Sequence, residues 1–356
     1  LEILMGPGTD DELILNILHE GEYLGEMSLI QPGGLRTASA RARGDVTLLS
    51  MSRDQFKDLL ARHPELSAMM VSVLSQRLDS TNVATFRDLT QKNRQLQKAF
   101  DELKAAQEQL IEKERLEREL KVAADIQMSI LPDVLPVHEK FDFGGRILPA
   151  RQVGGDFYDI FFLDENKIVV LIGDVADKGV PSAIFMARVH ALIIAEADNA
   201  DTPGEVLRIA NKHITRLEKS TQFVTALYGV LNTQTGEFSY ARAGHEPPLL
   251  LHADGNVQRL PHKPGMALGL WENIILDENS LLLPPGSLLV MFTDGMTDCR
   301  NPRGEPFGLD RIQMAMAGLW GTTAQPCCDR LFDTLMMYRS GSKQDDDVTL
   351  VAIHAK

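Results

Sequence analysis

The sequence predicts an α+β chain in three parts: a β-rich segment over residues 1–80, a helical rod over 81–131 and a larger mixed domain over 132–356. Three observations carry this reading. Bounded apolar runs of strand length, Ile168-Val169-Val170-Leu171-Ile172 and Leu288-Leu289-Val290-Met291-Phe292, are each followed within two residues by an aspartate, as buried strands do when they deliver polar groups at their ends. Upstream, leucines recur every seven residues. The first segment opens in mid-strand at Leu1 and closes in amphipathic helices that begin at Ser52.

Composition narrows the function classes. At 356 residues with 44% apolar side chains, the chain has room for two domains and a connector. A net charge of −14, from 36 basic and 50 acidic residues, disfavours a general phosphate-backbone binder, so no nucleic acid partner is expected. No apolar run approaches the ~20 residues of a membrane span and no signal peptide is visible, so any membrane association is expected to come through a partner. Cys327 and Cys328 are adjacent and Cys299 stands alone, a pattern with neither a disulfide framework nor metal-ligand spacing, which points to a reducing cytoplasm.

The N-terminal segment carries Tyr23-Leu24-Gly25-Glu26-Met27-Ser28-Leu29-Ile30, followed ten residues after the glutamate by Arg36-Thr37-Ala38-Ser39-Ala40. This resembles the phosphate-binding cassette of cyclic-nucleotide-binding domains, a partial antiparallel β-barrel. The resemblance implies that Gly25 and Glu26 hold the ribose and that Arg36 with Thr37 holds the cyclic phosphate, making a cyclic nucleotide a possible regulatory ligand. Leu35 stands where such cassettes often have proline. Residues 53–80, N-capped by Ser52 and apolar at Phe56, Leu59, Leu60, Leu66, Met69, Met70, Val73 and Leu74, are expected as the C-terminal helices of this domain. Because Leu1 falls in mid-strand, the chain is expected to be part of a longer protein.

The rod is defined by Leu89, Leu96, Leu103 and Leu110, with Phe86 and Phe100 three residues before Leu89 and Leu103. This is heptad spacing with leucine at d, and it predicts a coiled-coil homodimer in preference to a helix packed on its own domain. Asn93 and Gln107 occupy intervening a positions, which fix register at a cost in stability. After Leu110 the phase slips, since Leu116, Leu120 and Ala123 do not extend the series. Residues 81–130 hold nine basic and nine acidic side chains, so the excess negative charge lies elsewhere.

In the C-terminal domain four distant segments present aspartates: Gly154-Gly155-Asp156, Ile172-Gly173-Asp174, Phe292-Thr293-Asp294-Gly295 and Asp345-Asp346-Asp347-Val348-Thr349. Any one Gly-Asp pair reads as turn chemistry. Four together read as an oxygen cage for hard divalent cations, since clustered carboxylates need a cation to neutralise their repulsion.

Val153-Gly154-Gly155-Asp156-Phe157-Tyr158-Asp159, Ile172-Gly173-Asp174-Val175 with Lys178-Gly179, Ala243-Gly244-His245-Glu246-Pro247-Pro248, Phe292-Thr293-Asp294-Gly295 and Asp346-Asp347-Val348-Thr349-Leu350 resemble the bacterial SpoIIE/RsbU-type serine phosphatases of the metal-dependent PPM (type-2C) superfamily. The resemblance covers about residues 120–353, including the helix Ala123-Ala124-Asp125-Ile126-Gln127 that leads into the domain. It implies two antiparallel sheets sandwiched between helices and a pair of Mn²⁺ or Mg²⁺ ions. Asp174 and the Val175 carbonyl would bridge the ions, Asp156 and Asp294 would hold them from opposite sides, Asp346 would complete the cage, and Asp347 is the weaker ligand candidate. The implied chemistry is hydrolysis of phosphoserine or phosphothreonine by water attacking in line, with no Cys or His nucleophile. The implied substrate is a phosphorylated regulatory protein of the anti-sigma-factor-antagonist type.

Some positions stay open. Ala176 stands where eukaryotic relatives often carry a histidine, so the leaving-group acid is unassigned. Arg151 either forks onto a substrate phosphate or is solvated; His245 is either catalytic or stitches a loop; Lys178 either orients the metal loop or faces water. Pro181 to Ala195 reads as a long apolar helix directly after the metal loop, where the family resembles a regulatory switch. Two other function classes fit the same residues: a non-catalytic adaptor, and a two-metal phosphohydrolase of nucleotides or small phosphate esters.

Overall fold

A computed structural model describes residues 1–217 and 222–356. It divides into two compact units, Leu1–Gln107 and Glu108–Lys356.

The first unit holds a small antiparallel sheet in the order β2-β1-β3, from β1 (Glu2–Met5), β2 (Leu13–Ile17) and β3 (Ser39–Arg41). The one-turn helix α1 (Glu26–Ile30) lies between β2 and β3. Helix α2 (Arg53–Arg62) starts at the expected cap: Ser52 Oγ accepts from the Gln55 amide at 3.3 Å and Gln55 Oε1 accepts from the Ser52 amide at 2.8 Å. The chain breaks at His63 because Pro64 disfavours helical geometry in the residue before it, and Pro64 then opens α3 (Pro64–Met128).

Helix α3 runs 65 residues without interruption. Past Pro64 it contains neither Gly nor Pro, so nothing in its backbone chemistry would stop it. The helix therefore runs through residue 80, and the heptad slip after Leu110 changes side-chain phase but not helicity. Ion pairs four residues apart, Lys92–Asp88 at 2.9 Å and Arg115–Glu119 at 3.1 Å, support its surface.

The second unit is a sandwich of two antiparallel sheets among the described residues. One sheet, in the order β11-β8-β7-β6-β5, comprises β5 (Phe157–Asp164), β6 (Lys167–Val175), β7 (Val224–Asn232), β8 (Glu237–Ala243) and β11 (Asp277–Leu282). The other, in the order β10-β9-β12-β13-β4, comprises β4 (Phe141–Leu148), β9 (Leu249–Leu251), β10 (Val257–Arg259), β12 (Leu288–Phe292) and β13 (Val348–Ala355). Helices α4 (Val180–Ala195) and α5 (Pro203–Leu217) cover the first sheet. The second is covered by α7 (Gly308–Ala317) and α8 (Ala324–Arg339), with the short α6 (Asp294–Asp298) at the end of β12.

The continuous apolar runs follow from this layering. Ile168, Val170 and Ile172 face the inter-sheet core with Leu289, Met291, Val351 and Ile353, while Val169 and Leu171 face Val189, Ile193 and Leu207 on the helices. A strand buried on both faces needs apolar residues at every position, not at alternate ones. Each such side chain contributes roughly 1.5–3 kcal/mol by leaving water. A rigid sandwich thereby fixes where the strands end.

Candidate metal centre

The predicted aspartates meet at one end of the sandwich. Phe157 pairs with Gly173, so Asp156 and Asp174 leave adjacent strands side by side. In the other sheet Phe292 pairs with Leu350, which sets Asp294, just past β12, near Asp346 and Asp347, just before β13. Two strand ends from each sheet thus deliver carboxylates that are remote in sequence.

Burial and like charge dominate their electrostatics. Burial, and then the charge of Asp294, raises Asp174 from the ordinary aspartate value to about 7, with Asp346 and Asp347 adding to the shift. Burial and the charges of Asp346, Asp298 and Glu246 raise Asp294 to about 6. Asp156 is 3% exposed and is pushed well up by burial, then by Asp174 and Asp347, against the lowering effect of hydrogen bonds from Thr349 and Thr293. In these three carboxyls burial is the larger cause and neighbouring carboxylates add to it.

Protein partners already hold several of these oxygens. Asp156 Oδ2 accepts from Thr293 Oγ1 at 2.8 Å and from Thr349 Oγ1 at 2.7 Å. Lys178 Nζ lies 3.0 Å from Asp346 Oδ2 and also donates to the Asp345 carbonyl. Asp347 Oδ1 accepts from the Ala150 amide at 2.6 Å, and its Oδ2 accepts from the amides of Gly155 at 2.6 Å and Asp156 at 3.4 Å. Among the described residues no three His, Cys, Asp or Glu side chains close on one point tightly enough to hold an ion. The donor chemistry nevertheless fits a hard divalent cation: the oxygens are carboxylates, and neighbouring carboxylates add to the effect of burial in raising Asp174 and Asp294.

The loop carrying Asp156 depends on two glycines. A Cβ on Gly154 would collide with the Asp347 carboxylate, and one on Gly155 would lie 2.5 Å from Ser182 Oγ and 2.7 Å from the Val175 carbonyl oxygen. Val175 thus turns its carbonyl toward the same loop. Asp177, in the turn between β6 and α4, adopts φ 76°, a left-handed geometry that costs a non-glycine residue energy and marks the turn as constrained by its surroundings.

His245 is 3% exposed, and burial followed by the Arg242 charge lowers its pKa to about 3, so the ring is neutral. Its Nδ1 pairs with Thr225 Oγ1 at 3.0 Å, and Arg242 donates to its carbonyl while forming a 2.8 Å ion pair with Asp277. Thr225 pairs with Asp174 across the strands, so His245 braces the cage from behind. Arg151 is exposed, with its guanidinium 3.8 Å from where a Cβ on Gly179 would stand. The Ala176 amide donates to the Phe223 carbonyl at 2.9 Å.

In the first unit, Gly25 takes a left-handed φ of 85° as the N-cap of α1, and the Arg36 guanidinium lies 2.5 Å from where its Cβ would be. Glu26 is buried with Arg77 of α3 3.5 Å away, Arg77 stacks 5.3 Å over the Tyr23 ring, and Thr37 is exposed. The cassette residues Gly25, Glu26 and Arg36 are therefore gathered around α1, with Arg77 as an unforeseen member. Sequence reading also passed over Thr293 and Thr349, although a threonine next to each candidate ligand segment was the available signal.

Comparison with known proteins identifies the fold and the family. The chain is 31% identical over 264 residues to Protein IcfG of Synechocystis sp., an alignment covering 66% of this chain and 41% of that protein. It is 28% identical over 245 residues to phosphoserine phosphatase RsbU of Bacillus subtilis, covering 68% of this chain and 72% of that one. It thus spans less than half the length of the first relative. The solved SiaA-PP2C domain of Pseudomonas aeruginosa superposes with a TM-score of 0.61 at 22% identity, covering 68% of this chain and 98% of that domain, which establishes the fold. Residues 5–63 match the family described as cyclic nucleotide-binding domain. Residues 164–356, more than half of the 356, match the family described as Stage II sporulation protein E. Strands, aspartates and sequence thus converge on one conclusion: the chain belongs to the SpoIIE family.

Proposed function

We propose that this chain is a metal-dependent serine/threonine phosphatase that acts on a phosphorylated regulatory protein of the anti-sigma-factor-antagonist type, under the control of its N-terminal unit. The observation that carries the reading is the delivery of Asp156, Asp174, Asp294 and Asp346 to one end of the sandwich by paired strands of both sheets. Asp156, Asp174, Asp294 and Asp346 with the Val175 carbonyl would hold two Mn²⁺ or Mg²⁺ ions. When bound, such ions supply Lewis-acid charge for phosphoryl transfer to water.

The chain's own groups do the rest. Asp347 is assigned as the clamp of the Asp156 loop in preference to a ligand, because both of its oxygens serve backbone amides. Lys178 would keep Asp346 oriented toward the cluster, and Arg151, whose guanidinium lies close to Gly179, would meet a substrate phosphate there. A cysteine mechanism finds no support, since burial raises Cys327 to about 12 and Cys328 well above the ordinary thiol value.

Two features support regulation. Leu89, Leu96, Leu103 and Leu110 are all at least half exposed on α3, which suits a homodimeric coiled coil. Gly25, Glu26 and Arg36 suit a cyclic nucleotide, which would compete with Arg77 for Glu26. Among the described residues no helix is long and apolar enough to cross a membrane, in keeping with a cytoplasmic site of action. The test is phosphate release from phosphoserine proteins, phosphopeptides and nucleotides with and without Mn²⁺. Turnover limited to nucleotides, or none with any substrate, would overturn the proposal.

A further inference from the structure

We propose that Gln127 is a positioning residue for the candidate metal loop: its carboxamide pairs with both backbone groups of Gly154 and so sets, through Gly155, where Asp156 stands. The inference rests on reading the aspartate cluster as a metal-dependent centre.

Among the described residues α3 buries a single side chain along its 65 positions, and that side chain is Gln127, 8% exposed. Packing alone would put an apolar residue there, because a buried amide is tolerated only when its donor and acceptor are both satisfied. Both are satisfied by one residue: Gln127 Nε2 donates to the Gly154 carbonyl at 2.6 Å, and the Gly154 amide donates to Gln127 Oε1 at 3.1 Å. The side chain thus binds the loop as a neighbouring strand would.

On the far side Asp347 holds the next two amides, of Gly155 and Asp156, and the Gly155 carbonyl accepts from Val175 at 3.4 Å. The loop is therefore gripped from one side by the last turn of α3 and from the other by the residue after Asp346. Gly154 has no side chain of its own with which to resist displacement, and a Cβ there would collide with Asp347. Directly beyond the helix, Leu131 is buried against Phe157 and Val175 in the core, which anchors the turn itself. Rotating or withdrawing this turn moves Gly154, and Asp156 lies two residues on.

The test uses the full chain and two readouts that do not depend on turnover. Gln127→Met, which keeps length and loses both hydrogen bonds, is expected to raise amide exchange at Gly154 and Gly155 at least tenfold in the metal-free protein. It is also expected to weaken Mn²⁺ binding, measured by calorimetry, by roughly 10- to 100-fold, as for other groups that orient ligands. Leu207→Ala, a buried position on α5 away from this turn, is the packing control: it lowers the unfolding midpoint but leaves Mn²⁺ affinity within about twofold. Gln127→Asn, too short to make both bonds, gives the same pair of readouts if Gln127→Met does not fold. Unchanged exchange at Gly154, or Mn²⁺ affinity that falls no further than in Leu207→Ala, overturns the assignment. A wild-type chain that binds no Mn²⁺ overturns the metal reading instead, and Gly154 exchange then decides the clamp by itself.

Discussion

Replacing Asp174 by asparagine should stabilise the metal-free protein while abolishing its metal-dependent activity. Asp174 is raised from the ordinary aspartate value of 3.8 to about 7, chiefly through burial and then the charge of Asp294. A folded-state pKa raised above the unfolded one means that the folded protein binds the extra proton, so stability falls as pH rises from about 4 to about 7. Some three pKa units at about 1.4 kcal/mol each correspond to an upper value of about 4 kcal/mol. Burying an amide without its ideal partners returns roughly 1–2 kcal/mol of that. Asp174→Asn is therefore expected to gain about 2–3 kcal/mol over wild type at pH 8 in EDTA, and to show little gain at pH 4.5, where the carboxyl is already neutral. Urea denaturation of both proteins at both pH values measures the difference. A variant that is equally destabilised at pH 4.5 and pH 8, or one that still binds Mn²⁺ with wild-type affinity, would refute the reasoning.

Three further outcomes are expected. Asp277→Ala leaves the buried Arg242 guanidinium without its 2.8 Å partner and should cost about 3–5 kcal/mol in chemical denaturation; a cost below about 1 kcal/mol would mean that the pair does not hold the His245 loop. If cyclic nucleotide binds, Arg36→Ala should weaken it by roughly 1.5–3 kcal/mol through loss of a charge-assisted phosphate contact, while calorimetry showing no binding by the wild-type chain would make the cassette structural. Deleting seven residues between Leu89 and Leu110 turns the downstream helix by only about 20°, whereas deleting three or four turns it by about 60° or 40°. The first should keep regulated phosphatase activity and the others should uncouple it; identical behaviour, or monomers by light scattering, would make α3 a passive tether.

How much was legible depended on how local each signal was. The doubly buried strands of residues 168–172 and 288–292 could be read because apolar runs bounded by polar residues have few other uses. The aspartates at their ends could be read as a set because four recurrences outweigh turn chemistry. The role of Asp347 could not, since its partners Ala150 and Gly155 lie nearly two hundred residues away and a run of three aspartates does not say which one turns inward. Gln127 was visible only as a helix residue, because its value lies in a backbone contact with Gly154. That one helix, α3, runs from Pro64 to Met128 was not legible, for heptad phase reports side chains and not the backbone that carries them. The pairing of Arg77 with Glu26 joins residues on separate elements whose approach no sequence pattern announces.

The central claim is hydrolysis of a phosphoserine ester by water at the aspartate cluster. Single-turnover phosphate release from a phosphoserine protein in ¹⁸O-labelled water, with and without Mn²⁺, tests it most directly. The account predicts one labelled oxygen in each phosphate released, no release in EDTA, and no release by Asp294→Asn with Mn²⁺ present. Release that survives EDTA, or that persists in the Asp294→Asn variant, would contradict it.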